Sequence, residues 1–405
     1  MEVTLDYKRI AVAVDGSRWS SWAEDWALEA ARVSGAELYG VHVYAAQLHR
    51  VRFEQMEPGL PGPYQEEEKL GELRGTHDSL ITDGLKLISD AYLREVQEKA
   101  SRAGIPFHAA TPEGRNYVEI LNFVSREKVD LVVLGARGLG AVDGDDLGSV
   151  AEKVLFHADC DVLIARTPFP RSGQGVFCGV DGSEASYQAA RRAAGWAHAL
   201  GAPLTLAAVF DPVFHRGVFR TISDVLPEEV GERFDFKSQE RLHDEIIDKG
   251  LERLYQTYLD EAAEVVADGR VDGLEKRLLT GKPYHAVLEE LAPGRASLLV
   301  VGRYGRHREA VSRIGSNALS LARRSPVSVL VTFGSYRPPE RAKEGAQPAA
   351  ESQVTWDPEA EERLKRVPIF VRRMAKRAIE NFAREKGLDR VTLDVYLEAK
   401  KRFGM

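Results

Sequence analysis

The chain repeats itself, and this repeat limits the possible folds more than any other feature of the sequence. The stretch RIAVAVDGS, which ends at Ser17, returns as GVFCGVDGS, which ends at Ser183, 166 residues later. Farther along, LVVLG at 131–135 matches LLVVG at 298–302, where the offset has grown to 167 residues. Because both copies must fold in the same way, we expect two tandem domains of about 165 residues, followed by a C-terminal extension.

Each copy alternates short apolar runs with amphipathic stretches. The runs are apolar throughout and rich in β-branched residues, which is typical of strands buried on both faces of a parallel sheet. This alternation predicts an α/β fold in which each copy forms a doubly wound, Rossmann-like parallel sheet. In the first copy the predicted strands are Ile10–Val14, Leu38–Tyr44, Pro106–Ala110, Leu131–Leu134 and Asp161–Ala165. The predicted helices are Ser17–Ala31, Leu80–Ala103, Tyr117–Lys128 and one that follows Ser149.

Composition excludes several classes of protein. No apolar run reaches the roughly 18 residues that a membrane helix needs, and the first residues lack the basic flank of a signal peptide. Two cysteines in 405 residues cannot form a disulfide scaffold, and their scarcity favours a reducing cytoplasm. The net charge is −7, which argues against a nucleic-acid partner for the chain as a whole.

A glycine pattern follows the fourth predicted strand in both copies. Two residues separate Gly135 from Gly138, and nine further residues separate Gly138 from Gly148-Ser149. Two glycines allow the backbone to turn tightly and to approach a ligand, and a helix that begins at a Gly-Ser pair offers free N–H groups to an anion. Asp15 ends the first strand and would face the same crevice, where its carboxylate can accept hydrogen bonds from a ribose or an amine.

The alternative is structural. The same glycines could serve only to make tight turns between strands and helices, without any ligand. Two copies with identical spacing, each paired with an Asp-Gly-Ser turn, favour the phosphate-binding interpretation, but loss of the site in one copy stays open.

These motifs resemble those of the universal stress protein family. The resemblance rests on the Asp-Gly-Ser start, on the Gly-x2-Gly-x9-Gly-Ser pattern and on HADCDVLIA at 157–165, and it covers residues 8–166 and 175–333. It implies five parallel strands in the order 3-2-1-4-5, and ATP binding in members that keep the glycine pattern. It also implies pairing of domains, which a tandem chain can achieve internally and which leaves a homodimer open.

The family's roles can be carried over residue by residue. Asp15, Val43 and Leu134 would surround the adenine and ribose, and the glycine pattern would hold the ribose and phosphates. Ser17 and Ser183, which follow the two aspartates, belong to the same predicted nucleotide site. The remaining residues of the predicted site are Gly135, Gly138, Gly148, Ser149 and Val150 in copy one, and Asp181, Val209, Val301, Gly302, Gly305, Gly315, Ser316 and Asn317 in copy two.

Two features depart from the pattern. Copy one has Asp143, Asp145 and Asp146 in its nine-residue loop, where phosphates would lie, so Mg²⁺ could bridge the two; the metal ligands stay unknown. Both copies also carry an insertion after the second strand, at about 45–79 and 211–237, with His49-Arg50 in the first matching His215-Arg216 in the second. An arginine there could close over phosphates, or the pair could lie on the surface.

The last fifty residues form a different unit. Asp357-Pro358 predicts a helix start, Gly387 a helix end, and Thr392 the cap of a helix over Leu393–Phe403. WDPEA at 356–360 and LKRVPIFVR at 364–372 resemble the small C-terminal domain of light-independent protochlorophyllide reductase subunits. That resemblance implies a protein or tetrapyrrole partner. It does not imply reductase activity, because the cysteines of the reductase body are absent.

The sequence thus predicts a cytoplasmic tandem universal stress protein that binds ATP in one or both repeats and acts as a nucleotide-dependent stress-response sensor. Two alternatives remain, an adaptor that works through its C-terminal unit and a slow ATPase, for which no catalytic residue can be named. The predicted domains are residues 1–168 and 175–334, a linker at 335–354 and a small three-helix domain at 355–405.

Overall fold

The computed structural model describes residues 5–142, 146–170, 174–211, 248–267, 271, 273–291, 294–306, 313–338, 355–365 and 388–403, together with 376, 378–380, 382–384 and 386. The chain forms two compact units, residues 1–338 and 339–405. The first contains both copies of the repeat, and the second contains the C-terminal extension. No helix in these described ranges is both long and apolar enough to cross a membrane.

Ten strands of the first unit form one sheet, because the two five-stranded halves join at their edges. The strand order is β3-β2-β1-β4-β5-β10-β9-β6-β7-β8. Each half is therefore parallel with the order 3-2-1-4-5, and the predicted fold class is confirmed. The strands are β1 (Arg9–Ala13), β2 (Glu37–Val41), β3 (Phe107–Ala110), β4 (Leu131–Gly135), β5 (Asp161–Ala165), β6 (Gly175–Val180), β7 (Leu204–Phe210), β8 (Leu274–Thr280), β9 (Ala296–Gly302) and β10 (Ser328–Thr332).

Helices cover both faces of this sheet. One face packs α1, α3, α6 and α7 over a core that includes Trp26 and Trp196, and the other packs α4, α5, α8 and α9 over a second core. Burial on both faces explains why the strands are apolar throughout. The helices are α1 (Arg18–Ser34), α2 (Ala46–Met56), α3 (Glu67–Arg102), α4 (Asn116–Glu127), α5 (Ser149–His157), α6 (Glu184–Leu200), α7 (Asp248–Ala267), α8 (Pro283–Glu290) and α9 (Ser316–Arg324).

The two copies meet at an antiparallel seam between β5 and β10. Leu163 lies opposite Leu330 at the centre of this seam. The buried carboxylate of Asp161 accepts hydrogen bonds from Tyr7 Oη at 2.8 Å, from Arg192 Nε at 2.9 Å and from the Phe333 amide at 2.7 Å. Burial raises the pKa of Asp161, and Arg192 opposes the rise. The seam therefore combines an apolar strand pair with a buried charge that is fully engaged.

Two further arginines cross the seam. The buried guanidinium of Arg303, directly after β9, donates to the carbonyls of Leu155 and Ala158 at the C-terminal end of α5. Arg166, directly after β5, donates to the carbonyls of Ala322 and Arg323 at the end of α9. Helix ends carry unpaired carbonyls and a partial negative charge, so a cation from the other copy stabilises each of them.

The insertion in copy one is helical. It forms α2 and two short 3-10 turns, and it extends α3 upstream to Glu67, whereas the sequence predicts a helix that starts near Leu80. The prediction was short because the added turns are almost wholly exposed: the buried residues of α3 begin only at Ser89. Without a buried face, these turns have no apolar period to detect. Of the insertion in copy two, residues 212–237 lie outside the described residues.

The start of the predicted linker packs on the first unit. The Tyr336 amide donates to the Glu184 carbonyl at 2.9 Å, and Arg337 pairs with the Glu184 carboxylate at 2.7 Å. The predicted linker was therefore placed too early, because residues 335–338 belong to the body. Residues 339–354 lie outside the described residues.

The C-terminal unit has its own core. Helices α10 (Pro358–Lys365) and α11 (Leu393–Phe403) agree with the predicted starts, and residues 378–380 and 382–384 are also helical. A feature missed from the sequence is a two-residue parallel pair between β11 (Thr355–Trp356) and β12 (Arg390–Val391). These strands are too short to give an alternating pattern. The core residues include Ala360, Leu364, Ile379, Phe382 and Val391.

Candidate functional site

A cavity of about 770 Å³ opens at the carboxyl ends of the strands in copy one. It lies where β1 separates β2 from β4, which is the point where the strand order reverses. Open α/β sheets bind ligands at this position because the loops that follow neighbouring strands diverge there. The volume falls in the range of a pocket for a small molecule or cofactor.

The aspartate that ends the first strand ties two loops together. Asp15 Oδ1 accepts from the Ser17 amide at 3.0 Å, and Oδ2 accepts from the Leu139 amide at 3.2 Å, across the glycine turn. In copy two, Asp181 accepts from the Ser183 amide at 3.0 Å and from the Arg306 amide at 3.2 Å. The two copies thus build the same connection, and Oδ2 of each aspartate keeps a lone pair for another donor. In copy two the Ser183 hydroxyl also donates to Asp181 Oδ1, at 2.6 Å.

The far wall of the cavity is the start of α5. Gly148 is its N-cap, and because glycine has no side chain to cap the helix, the first N–H groups face outward. Gly315 begins α9 in the same way in copy two. Free amides and the positive end of a helix dipole attract an anion, so this wall is suited to phosphate.

The structure brings most of the predicted residues together. In copy one the cavity is lined by eight of the nine, and Ser17 is the exception. The Ser17 hydroxyl accepts from the Ser20 amide at 3.1 Å and caps α1, so its role is structural. In copy two, Ser183 likewise caps α6. The other predicted residues of copy two lie at matching positions: Asp181 after β6, Val209 in β7, Val301 and Gly302 in β9, Gly305 in the turn, and Gly315, Ser316 and Asn317 at the start of α9.

Several cavity residues were missed from the sequence. Tyr92 of α3 lies with its ring on Gly16, and Tyr258 of α7 lies in the same way on Gly182. The two tyrosines are 166 residues apart, so the repeat offset itself would have found them. Arg137 lines the cavity and lies 5.8 Å from the ring centre of Trp19; copy two has Tyr304 there, so the repeat gives no signal for it.

A histidine also lines the cavity. His42 follows β2, and its Nδ1 lies 2.8 Å from the Ser89 hydroxyl. Burial lowers the pKa of this imidazole, and the Asp15 carboxylate partly opposes the shift. His42 is therefore neutral at physiological pH.

Of the two residues of the copy-one insertion that have a counterpart in copy two, one lines the cavity. His49 of α2 lines the cavity, whereas Arg50 pairs with Asp78 of α3 at 2.8 Å. Arg50 therefore ties α2 to α3 and does not line the cavity, which favours the surface alternative over closure on phosphates. Its counterparts in copy two, His215 and Arg216, lie outside the described residues.

Of the three aspartates in the nine-residue loop of copy one, the structure describes only the last. Asp143 and Asp145 lie outside the described residues, and the Asp146 carbonyl accepts from Arg166 at 2.8 Å. Within the described part of the chain, no group of three or more His, Cys, Asp or Glu side chains could hold a metal ion.

Comparison with known proteins agrees with the architecture. The family model of the universal stress protein family matches residues 6–166 and 174–332. The family model described as Proto-chlorophyllide reductase 57 kD subunit matches residues 356–400. The first model matches well over half of the chain, once in each repeat.

Individual relatives match one repeat at a time. A universal stress protein of Bacillus subtilis is 32% identical over 161 residues, which are 40% of this chain and 99% of the relative. One from Methanocaldococcus jannaschii is 31% identical over 164 residues, which are 40% of this chain and 84% of the relative.

Solved structures match both repeats together. The crystal structure of a universal stress protein from Archaeoglobus fulgidus has a TM-score of 0.50 and 18% identity, and covers 82% of this chain and 99% of its own. A functionally unknown protein from Pseudomonas aeruginosa has a TM-score of 0.51 and 13% identity, and covers 81% of this chain and 93% of its own. These likenesses show the fold. With the family model matched in both repeats, the chain belongs to the universal stress protein family.

Proposed function

We propose that this protein binds ATP and acts in the cytoplasm as a nucleotide-dependent stress-response sensor. The observation that carries the proposal is the cavity of copy one, where eight residues predicted to contact a nucleotide lie around one space of about 770 Å³. The equivalent loop connections of copy two extend the proposal to a second site.

The cavity has a different chemistry at each end, which suits a nucleotide. At the α5 end, Gly148 and Ser149 offer amides and a hydroxyl to phosphates. In the middle, the lone pairs of Asp15 suit ribose hydroxyls. At the β2 end, the apolar side chains of Val41 and Val43 suit the faces of a base.

A sensor is favoured over an enzyme because both described carboxylates of the cavity already have partners, and the lone pairs left on Asp15 are the ones proposed for the ribose. Asp15 accepts from two backbone amides, and Glu152 pairs with Arg323 of the other copy. Neither is placed as a base that could activate a water molecule. Any hydrolysis would therefore be slow.

The test is to denature the purified full chain and identify the released nucleotide by mass spectrometry. Co-purified ATP near two per chain supports the sensor. Co-purified ADP supports the slow ATPase. If nothing is released, and calorimetry with added ATP shows no heat of binding, the proposal fails.

A second candidate function is specific to the C-terminal unit. Its core is separate from that of the repeats, and its match to the reductase family model covers residues 356–400. We propose that this unit is an adaptor that binds a tetrapyrrole or a protein partner. Titration of the full chain with protoporphyrin IX tests the first possibility: a shifted absorption band that is lost on truncation at Pro338 supports it, and an unshifted band excludes this tetrapyrrole.

A further inference from the structure

We propose that His42 determines base specificity in copy one: its Nε2 atom accepts a hydrogen bond from the bound base and selects an amino-bearing base such as adenine over an oxo-bearing base such as hypoxanthine. This inference rests on the proposed nucleotide site and deepens it, because it names the edge of the ligand that is recognised.

The tautomer of His42 follows from its neighbours. The Ser89 hydroxyl lies 2.8 Å from the Leu85 carbonyl oxygen, one turn earlier in α3. Two oxygens at that distance repel unless a proton lies between them, so Ser89 donates its one proton to Leu85. Ser89 Oγ must then accept from His42 Nδ1, which lies 2.8 Å away. With the proton on Nδ1, the neutral ring has its acceptor lone pair on Nε2.

With Nδ1 bound to Ser89, Nε2 is the ring nitrogen of His42 that remains for a ligand. His42 is half-buried and lines the cavity, and its ring meets the Tyr92 ring edge to face at 5.2 Å. Among the residues that the structure describes, Nε2 has no hydrogen-bond partner. An acceptor in this position gains a bond only from a ligand that offers it an N–H or O–H group.

The strand order indicates which part of the ligand reaches it. His42 follows β2, whereas the phosphate-binding wall follows β4, and β1 lies between them. Neighbouring strands are about 4.8 Å apart, so the two ends of the cavity are separated by about 10 Å. A nucleotide whose phosphates lie at α5 therefore places its base, and not its phosphates, near His42.

Copy two lacks this acceptor. Ala208 stands at the position of His42, and Tyr255 at the position of Ser89. Tyr255 is half-buried, and the nearby Asp181 carboxylate adds to the effect of burial in raising its pKa. Its hydroxyl keeps a proton at neutral pH and can both donate and accept, so it does not discriminate between an amino group and an oxo group on the base.

The test compares ATP with ITP, which differ at the base and share the triphosphate. Copy two is disabled with Gly305→Val, since a Cβ there would lie 2.7 Å from Asp181 Oδ2. At pH 8 we expect this chain to bind ATP about tenfold tighter than ITP by calorimetry, because the oxo group of ITP would face an acceptor. His42→Gln should bring the ratio to within about twofold, because a carboxamide both donates and accepts.

Matched variants separate recognition from structure. Ser89→Ala keeps the imidazole but removes the group that fixes its tautomer, so the ratio should fall while ATP still binds. In a chain that carries Gly138→Val, only copy two can bind a nucleotide. Adding His42→Gln to that chain should leave the ATP-to-ITP affinity ratio unchanged. Equal affinities for ATP and ITP in the Gly305→Val chain would overturn the role of His42 and leave the nucleotide site standing. Binding of neither nucleotide to the unmutated chain would overturn the site itself.

The pH dependence gives an independent readout. Ser89 and Tyr92 of α3 contact His42, the Asp15 carboxylate acts on it electrostatically, and His49 of α2 lines the same cavity. Burial holds the pKa of His42 below the ordinary histidine value. The ATP-to-ITP ratio should therefore be constant from pH 8 to about 6.5 and fall below that, as Nε2 gains a proton and becomes a donor. A ratio that stays constant down to pH 5 would contradict the inference.

Discussion

At the scale of single residues, the glycines of the site are explained by the protein's own packing. A Cβ at Gly138 would lie 2.5 Å from the Asp15 carboxylate, and one at Gly305 would lie 2.7 Å from that of Asp181. Gly16 and Gly182 have positive φ angles of 75° and 76° and are covered by tyrosine rings. The motif therefore encodes the shape of the two loops, and the proposed ligand site is a consequence of that shape.

The helix-start glycines can be tested. A Cβ at Gly148 would lie 3.2 Å from the Ala136 carbonyl oxygen and 3.3 Å from Arg137 Cα, so Gly148→Val must displace the turn. We expect it to abolish nucleotide binding in copy one, as measured by calorimetry. At Gly315 the nearest atom is 3.4 Å away, so Gly315→Val should abolish binding in copy two through its branch alone and leave the turn in place.

The control for these variants is Gly75→Ala, at an exposed position of α3 where a Cβ meets nothing within 4 Å. It should leave binding intact and stabilise the helix by up to about 1 kcal/mol. A double variant, Gly148→Val with Gly315→Val, that still binds two nucleotides would show that neither helix start holds phosphate.

The buried aspartate at the seam gives a stability prediction. Asp161→Asn removes the charge that faces Arg192 in a site where Asp161 is 3% exposed. Removal of one partner of a buried ion pair is strongly destabilising, but Arg192 also pairs with the exposed Asp6. We therefore expect a loss at the lower end of the usual range, about 3 kcal/mol in the free energy of unfolding, measured with urea. Glu29→Gln, in an exposed pair with Arg32, should cost about 0.5 kcal/mol or less.

The sequence predicted most of the site residues that recur and missed those that do not; the pair Tyr92 and Tyr258 recurs and was still overlooked. Asp15 and the glycines were found because they return at a fixed offset with the same spacing. His42 and Arg137 have no counterpart of the same type in copy two, so the comparison of the copies is silent about them. The contacts of Asp161 could not be predicted either, because they depend on how two distant strands pair.

At the scale of secondary-structure elements, the strands and capped helices were predictable and the insertion was not. The strands of copy one agree with their predicted ranges to within a few residues, and Ser17 and Gly35 end α1 as predicted. Both signals are local: a run of buried side chains, and a cap that satisfies free backbone groups. The helices of the insertion are tied instead by exposed ion pairs such as Arg50 with Asp78 and Arg74 with Glu57.

This difference predicts that the insertion is dispensable for folding. Replacement of residues 46–78 by a ten-residue Gly-Ser linker should keep the body folded, because the buried residues of α3 begin at Ser89. We expect the melting temperature to change by no more than about 3 °C, since exposed ion pairs contribute little. Calorimetric scanning measures this, and a loss of 10 °C or more would show that the insertion supports the core.

The charges of the nine-residue loops should decide which of the two sites binds ATP more tightly. The loop Leu139–Leu147 carries three aspartates, a formal charge of −3, and the loop Arg306–Ile314 carries +2. A unit pair at 4 Å is worth about 4 kcal/mol at an effective dielectric of 20, and about 1.4 kcal/mol changes an affinity tenfold. We expect copy two to bind ATP more tightly without metal, and copy one to depend on Mg²⁺.

Calorimetry with and without EDTA measures this ranking, on chains that carry Gly148→Val or Gly315→Val. Affinities that are equal and independent of metal would show that the loop charges point away from the phosphates. Residues 143–145 of the first loop and 307–312 of the second lie outside the described residues, so solution measurement is the direct route.

At the scale of the whole molecule, the repeats should fold without the C-terminal unit. A chain that ends after Pro338 keeps the contacts of Tyr336 and Arg337 with α6, and it should melt within about 3 °C of the full chain. A chain that ends after Thr332 lacks those contacts and the Phe333 amide that binds Asp161, so it should melt several degrees lower. If the longer chain is insoluble, the C-terminal unit is part of the body's fold.

The seam between the copies limits how far such a chain can grow. Leu163 faces Leu330, which is its own counterpart 167 residues later, so the copies are related by an approximate twofold axis through that pair. In a twofold contact both partners use the same surface, so neither copy has that surface free once the contact has formed. The two edge strands of the ten-stranded sheet are β3 and β8, and each is the third strand of its copy, whereas the seam joins the two fifth strands. The duplication is therefore closed at two copies, and a larger assembly of this protein must use a surface other than the one that joins its halves.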